Sequence, residues 1–286
     1  MAPTSYASSP IKTPTVRTVG VFQCFTWLML GWKDLYRSGA VSLAHGLVLA
    51  VFGAVLFWVA HQRFWFLAGA FSGFLVIAPV LATSLYALSR ALERKEIADW
   101  SVVGKTWLNW QGSHRNKWGN DYWCMVQFGA LLALAATGWV LTSAALITLL
   151  SPVPVSTPLD FVRAVVLARD NWLFELWLAL GGILAAPMFA SSVVSMPLLL
   201  DRRISLLQAV LTSWRVVLAN PIPMAIWAAV LMVLTLLGFA SLMLGLVVII
   251  PLLGHASWHA YRDLVDSTAL PAREAYSAPY APQETR

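Results

Sequence analysis

From Pro221 to Leu253 the chain carries no Asp, Glu, Lys or Arg. A spanning helix needs about 20 apolar residues, because the hydrocarbon core is about 30 Å thick and an α-helix rises about 1.5 Å per residue. The uncharged run is too long for one ordinary span, so it divides near Gly238–Ser241 into segments at 221–238 and 243–264. Four further stretches have the same character: 40–60, 64–88, 122–150 and 172–200. Long apolar runs separated by short polar ones indicate helices, whereas barrel strands would alternate over about ten residues. The expected fold is therefore all-α: a polytopic membrane protein with six transmembrane helices in three hairpins. Composition agrees, with 59% hydrophobic and 11% charged residues, against about 45–50% and about 25% in soluble domains. An ordinary soluble globule, a disordered chain and a disulfide-stapled domain are excluded.

Charge reads by side. Of the 19 Lys and Arg residues, all but Arg63, Arg163 and Arg169 fall in the termini or in the loops after spans two and four. The positive-inside rule then puts both termini in the cytoplasm. The net charge of +6 is read as a face for anionic lipid headgroups rather than for nucleic acid. Cys24 and Cys124 lie near that face, in no C-x-x-C motif, and are expected to be reduced and unpaired.

Residues 1–18 and 267–286 read as disordered tails flanking a membrane domain at 19–266. Within that domain an amphipathic stretch precedes each hairpin. In 19–37, Phe22, Phe25, Met29, Trp32 and Tyr36 recur every three or four residues, with Gln23, Thr26, Lys33 and Arg37 opposite. In 204–219, Ile204, Leu207, Leu211, Trp214 and Leu218 form one stripe and Ser205, Gln208, Thr212 and Arg215 another. A weaker pattern at 98–118 rests on Trp100, Val103, Trp107 and Trp110. These are patterns of helices lying in the interface on the cytoplasmic side. The three units suggest an internal repeat, with Pro79 and Pro251 each eleven residues before an arginine, Arg90 and Arg262. Pro79, Pro187, Pro197 and Pro251 are expected helix kinks. Asn220-Pro221 reads as an N-cap followed by proline at the first helical position. Gly69 and Gly73, and the Gly46, Ala50, Ala54 stripe, permit close helix contact.

Chemistry-bearing residues are few. His255 and His259 stand at i and i+4, so both rings leave one helix face about a turn apart. With Asp201 as a carboxylate they form a candidate metal site; against it stands a structural reading in which they cap carbonyls or pair with neighbours. If the even spans are neighbours, Arg90, Glu93, Asp201, Arg202 and Arg262 form a polar cluster at one depth. The span centres hold almost no ionisable groups, unlike those of ion-coupled pumps. No G-x-S-x-G, H-E-x-x-H or Walker sequence occurs, so the chain is not read as an enzyme, and no cofactor is expected.

The blocks Gly31-Trp-Lys-Asp-Leu35, Ser84-Leu-Tyr-Ala-Leu-Ser-Arg90, Pro197-Leu-Leu-Leu-Asp-Arg202 and Gly254-His-Ala-Ser-Trp-His-Ala-Tyr-Arg262 resemble an uncharacterised family of predicted bacterial integral membrane proteins. The resemblance covers roughly 30–265, is most specific in the last block, and implies an inner-membrane location with no defined reaction. Two functions follow as expectations. The first is a structural, accessory or assembly factor acting through its cytoplasmic face on a membrane-protein partner or a second copy of the chain. The second is a transporter or channel for a neutral or lipid-like solute through a broken fourth span. Metal or haem binding at His255 and His259 is a third.

Overall fold

A computed structural model describes residues 13–60, 82–112, 123–168 and 172–273. Its elements run β1 (Thr15–Val16), α1 (Gln23–Ser38), α2 (Ala40–Ala60), α3 (described over 82–93), α4 (Trp100–Gly112), α5 (Trp123–Leu150) and α6 (Pro158–Phe161). After a π-helical turn (Val162–Val166) come α7 (Leu173–Ser192), α8 (Ser195–Asp201), α9 (Leu206–Ala219), α10 (Pro221–Ala240), α11 (Leu246–Leu264) and β2 (Val265–Asp266). The protein is an all-α membrane protein. Four segments among the described residues are long and apolar enough to cross a bilayer: Ala40–Val59, Cys124–Leu150, Leu173–Asp201 and Pro221–Ala240.

Most of the second expected span, with Gly69, Gly73 and Pro79, lies outside the described residues. The sixth is helical from Leu246 but is not among the four apolar segments, because His255, Ser257, His259, Arg262 and Asp263 fill its second half. The long uncharged run does divide after Ala240. Ser241 caps α10, Leu242 and Met243 take left-handed φ of 53° and 68°, and the Ser241 Oγ accepts the Gly245 N–H at 2.8 Å. The fourth span is two helices. The proline that breaks it is Pro197: its ring has no N–H to donate and crowds the carbonyl four residues back, at Val193, and the turn falls at Val193–Val194. Pro187 sits inside α7 and Pro251 inside α11 without ending either.

α11 is the axis of the packed end. α1 and α2, separated at Gly39 (φ 52°), both run antiparallel along it, and two glycines set how close they come. A Cβ at Gly31 would lie 2.7 Å from the Ala256 nitrogen and 2.9 Å from the Leu252 oxygen. A Cβ at Gly46 would overlap the Val247 carbonyl. That carbonyl is the one Pro251 leaves without its helical donor, so the glycine meets α11 where its ladder is interrupted.

The three amphipathic stretches are helices α1, α4 and α9. Their orientation follows from burial. In α1 the inward face is Cys24, Trp27, Gly31, Asp34, Leu35 and Ser38, while Phe22, Phe25, Met29, Trp32 and Tyr36 are exposed. In α9 Ala209, Thr212, Ser213 and Val216 face inward, and Leu207, Leu211, Trp214 and Leu218 face out. α9 seals a stripe of small residues against the body and α1 a mixed face that includes Trp27 and Leu35, and on both helices the expected apolar stripe is left to its surroundings.

The chain ends are tied together. Val16 and Thr15 pair antiparallel with Val265 and Asp266, within what the sequence reads as the N-terminal tail. Asn220 does not use its side chain as a helix cap. Its Oδ1 accepts the Val19 N–H at 2.9 Å and its Nδ2 donates to the Arg17 and Val216 carbonyls. On the other side Arg203 N–H donates to Pro271 O at 3.0 Å and Arg273 N–H to Asp201 O at 2.8 Å. Residues 15–19 and 265–273 are thus held to the helical body by backbone and side-chain hydrogen bonds.

Candidate functional site

α11 carries a polar face whose partners come from three sequence-distant segments. His255 is fully buried. Its Nδ1 meets the Ser89 hydroxyl of α3 at 2.7 Å and its Nε2 the Ser42 hydroxyl of α2 at 2.8 Å. Ser89 also donates to Asp34 Oδ2 at 2.8 Å. Since a hydroxyl has one proton to give, Ser89 accepts from His255, which fixes N–H at Nδ1. One turn on, His259 Nε2 lies 2.8 Å from the same Asp34 oxygen. Asp34 is 5% exposed, so its carboxylate is held by donors from α3 and α11 rather than by water. Ser42 continues the chain to Ser38 at 2.6 Å.

A second layer lies nearer the end of α11. Glu93 of α3 accepts from Trp258 Nε1 at 3.0 Å and pairs with Arg262 at 2.8 Å. Asp201 of α8 accepts from the buried Tyr261 hydroxyl at 2.8 Å and pairs with Arg202 at 3.0 Å; Tyr261 and Ser267 hydroxyls are 2.9 Å apart. Arg262 Nη1 comes within 3.9 Å of Asp201, and Arg90 Nη1 donates to the Leu200 carbonyl at 2.9 Å. Asp263 accepts from Gln23 at 2.8 Å and from Trp27 Nε1 at 3.0 Å, which fastens the start of α1.

The five residues expected to cluster, Arg90, Glu93, Asp201, Arg202 and Arg262, are thus brought into one bonded layer. The expected metal trio is not brought together. The carboxylate on the histidine pair is Asp34, from α1, while Asp201 faces Tyr261 and the arginines. Both ring nitrogens of His255 are engaged by hydroxyls, and among the described residues no group of three or more His, Cys, Asp and Glu side chains could hold a metal ion. The free thiols Cys24 and Cys124 are buried. Sequence reasoning missed Asp34, Ser42 and Ser89. The available signal was an acidic residue three positions after Gly31 on the Trp27 face of α1, which a purely interfacial helix does not need.

This arrangement is a structural lock: a fully bonded polar seam pinning α1, α2 and α3 to α11 inside an otherwise apolar bundle. Residues 65–201 match a family described as predicted integral membrane protein (DUF2189). The function of that family is unknown. The matched range holds α3, α4, α5, α7 and α8, and so Ser89, Arg90, Glu93 and Asp201, but ends before the histidine pair. The Gly254–Arg262 block, the most specific part of the sequence resemblance, lies outside it. No curated protein and no solved structure matches the chain.

Proposed function

We propose that this integral membrane protein is a six-span protein of the bacterial inner membrane, with both termini cytoplasmic, acting as a structural, accessory or assembly factor through its cytoplasmic face. The observation that carries the reading is the disposition of α1 and α9. Each leaves a stripe of large apolar side chains outward, beside Lys33 and Arg37 on α1 and Arg215 on α9. Such a face suits the boundary between anionic headgroups and acyl chains, or a membrane-protein partner seated there. The pairing of residues 15–16 with 265–266 supports an even number of crossings, since both ends of the membrane domain then leave from one face.

Two measurements test this. A cysteine at Ser156 should react with a membrane-impermeant maleimide added outside intact cells and one at Lys105 should not; the reverse pattern overturns the orientation. Purification of the full chain from native membranes in mild detergent should bring a stoichiometric protein companion or a homo-oligomer. A lone chain accompanied by lipid alone removes the accessory role. A second reading, a carrier for a neutral or lipid-like solute, is favoured by the break at Val193–Val194, because non-helical backbone at membrane depth is tolerated where it lines a cavity.

A further inference from the structure

The polar seam along α11 closes on itself, so its protons can be accounted for. It runs from Asp34 Oδ2 through Ser89, His255, Ser42 and Ser38 and returns to the Asp34 main-chain carbonyl, with His259 joined to Asp34 Oδ2 from outside the circuit. These are six donor–acceptor distances, all of 2.8 Å or less. With Asp34 ionised and both imidazoles neutral, the three hydroxyls, the His255 N–H and the His259 Nε2–H supply one proton each, which is one too few. Ser89 donates to the carboxylate and His255 Nδ1 to Ser89, so His255 Nε2 is bare and takes the Ser42 proton. Ser38 must then donate to Ser42. Its 2.7 Å approach to the Asp34 carbonyl is left with no hydrogen between the two oxygens. That empty contact and the buried carboxylate both raise the energy of this state.

One added proton fills the gap. When the bonds of the circuit reverse, Asp34 Oδ2–H donates to Ser89, Ser89 to His255 Nδ1, His255 Nε2–H to Ser42, Ser42 to Ser38, and Ser38 to the Asp34 carbonyl. His259 still donates to Asp34 Oδ2. Every distance then holds a hydrogen, and no net charge is buried in the circuit. An ion pair of Asp34 with a doubly protonated His255 fills the distances equally. In either form the new hydrogen appears on His255 Nε2. We propose that the seam is a buried binding site for one proton, loaded through His259, whose side chain is 20% exposed. The other charged and titratable groups around it are engaged elsewhere or turned away. On α1, Lys33 and Arg37 are exposed. On α2, His45 Nδ1 donates to the Val41 carbonyl. On α3, Arg90 donates to the Leu200 carbonyl and Glu93 accepts from Trp258 and Arg262. Asp263 of α11 accepts from Gln23 and Trp27, and Asp201 of α8 from Tyr261 and Arg202. Asp34 and Ser38 lie on α1 and Ser42 on α2, either side of Gly39. The loaded circuit therefore holds both helices to α11 more firmly than the discharged one.

The site goes beyond the accessory role and holds whether or not a partner is found. The test is nitrogen NMR of the full chain in detergent micelles, labelled with ¹⁵N-histidine and titrated from about pH 9 to about pH 4, a range that brackets ordinary histidine and carboxyl titration. The His255 signals are assigned by their loss in His255→Gln. His255 Nε2 should be bare at the alkaline end and carry a hydrogen at the acid end. Asp34→Asn places a neutral carboxamide where the loaded carboxyl stands, and should keep His255 Nε2 protonated across the whole range. Ser38→Ala removes the empty contact without touching either titrating group. It should move loading to lower pH by about half to one unit, the worth of one neutral hydrogen bond. A seam that only braces the helices would keep one His255 tautomer throughout. Gel filtration and helix content establish that each variant is folded; if Asp34→Asn does not assemble, wild type and Ser38→Ala decide. An Nε2 that is bare at every pH in wild type, or protonated at every pH, overturns the assignment. So does either folded variant titrating as wild type does.

Discussion

Gly46→Ala and Gly104→Ala are the same chemical change in two helices, and the structure gives them opposite signs. In a helix interior with free space, alanine is favoured over glycine by about 1 kcal/mol, because glycine loses more backbone freedom on ordering. A Cβ at Gly104 of α4 meets nothing within 4 Å, so Gly104→Ala should stabilise by about 0.5–1 kcal/mol. At Gly46 the added carbon would overlap the Val247 oxygen, with the Val247 carbonyl carbon at 2.7 Å and the Leu246 oxygen at 2.8 Å. All are backbone atoms, so no rotamer change relieves the clash and α2 must move off α11. Overpacking of this kind costs about 1–3 kcal/mol, which outweighs the intrinsic gain. Separation at this point also strains the nearby Ser42–His255 bond. The two variants should therefore differ by about 2 kcal/mol, or some 4–8 °C in melting temperature on the scale of chains this long. The assay is thermal exposure of the buried thiols Cys24 and Cys124 to a maleimide dye in detergent, against wild type. Gly46→Ala melting at or above Gly104→Ala would mean that the α2–α11 contact does not exist as described.

Three further expectations follow. Asp34→Ala leaves His259 without its carboxylate partner and Ser89 without its acceptor, which should destabilise by about 1–3 kcal/mol in the same assay; Lys33→Ala beside it, exposed on α1, should change little. The Asp266 carboxyl is held below its ordinary range, first by the Thr268 hydroxyl and then by the Arg17 side chain. A depressed carboxylate stabilises above its unfolded value and loses that contribution as pH falls; the exchange protection of the Arg17 amide, which donates to the Leu264 carbonyl, measured relative to the free-peptide rate at each pH, should therefore be constant near neutrality and fall only in acid below about 4, and no acid loss of protection in excess of Asp266→Asn would refute the coupling. Finally, because Asp201 faces Tyr261 rather than the histidine pair, elemental analysis of purified protein should find no stoichiometric metal lost on His255→Ala; a one-to-one loss would revive the metal reading.

Much of the helix content was legible because the signals are local. A run of apolar residues announces a span wherever it packs, and α2, α5 and α10 begin or end within about two residues of the expected limits. The five-residue polar layer at the ends of α3, α8 and α11 was legible for a similar reason: charges of either sign stranded at one membrane depth must find one another. The inward face of α1 was not. Its periodicity marks an apolar stripe through Phe25 and Trp32 and a polar one through Lys33 and Arg37, but α11 meets a third face, through Trp27, Gly31 and Asp34, that neither stripe announces. The choice of Asp34 over Asp201 as the histidines' partner fails for the same reason, since it turns on a crossing of α1 over α11 that no spacing encodes.

The sequence by itself determined that this is a helical membrane protein, where its apolar helices run, and that its ionic groups gather at one end; which of Pro187 and Pro197 breaks the fourth span came from the structure. The first three follow from the bilayer, which imposes the same length and burial rule on every segment independently. Only the tertiary structure decided which polar side chains share a proton and which face of each amphipathic helix is sealed. Those outcomes depend on pairwise approach between helices far apart in the chain, and glycines such as Gly31 and Gly46 set that approach through the absence of a side chain, which has no pattern to read.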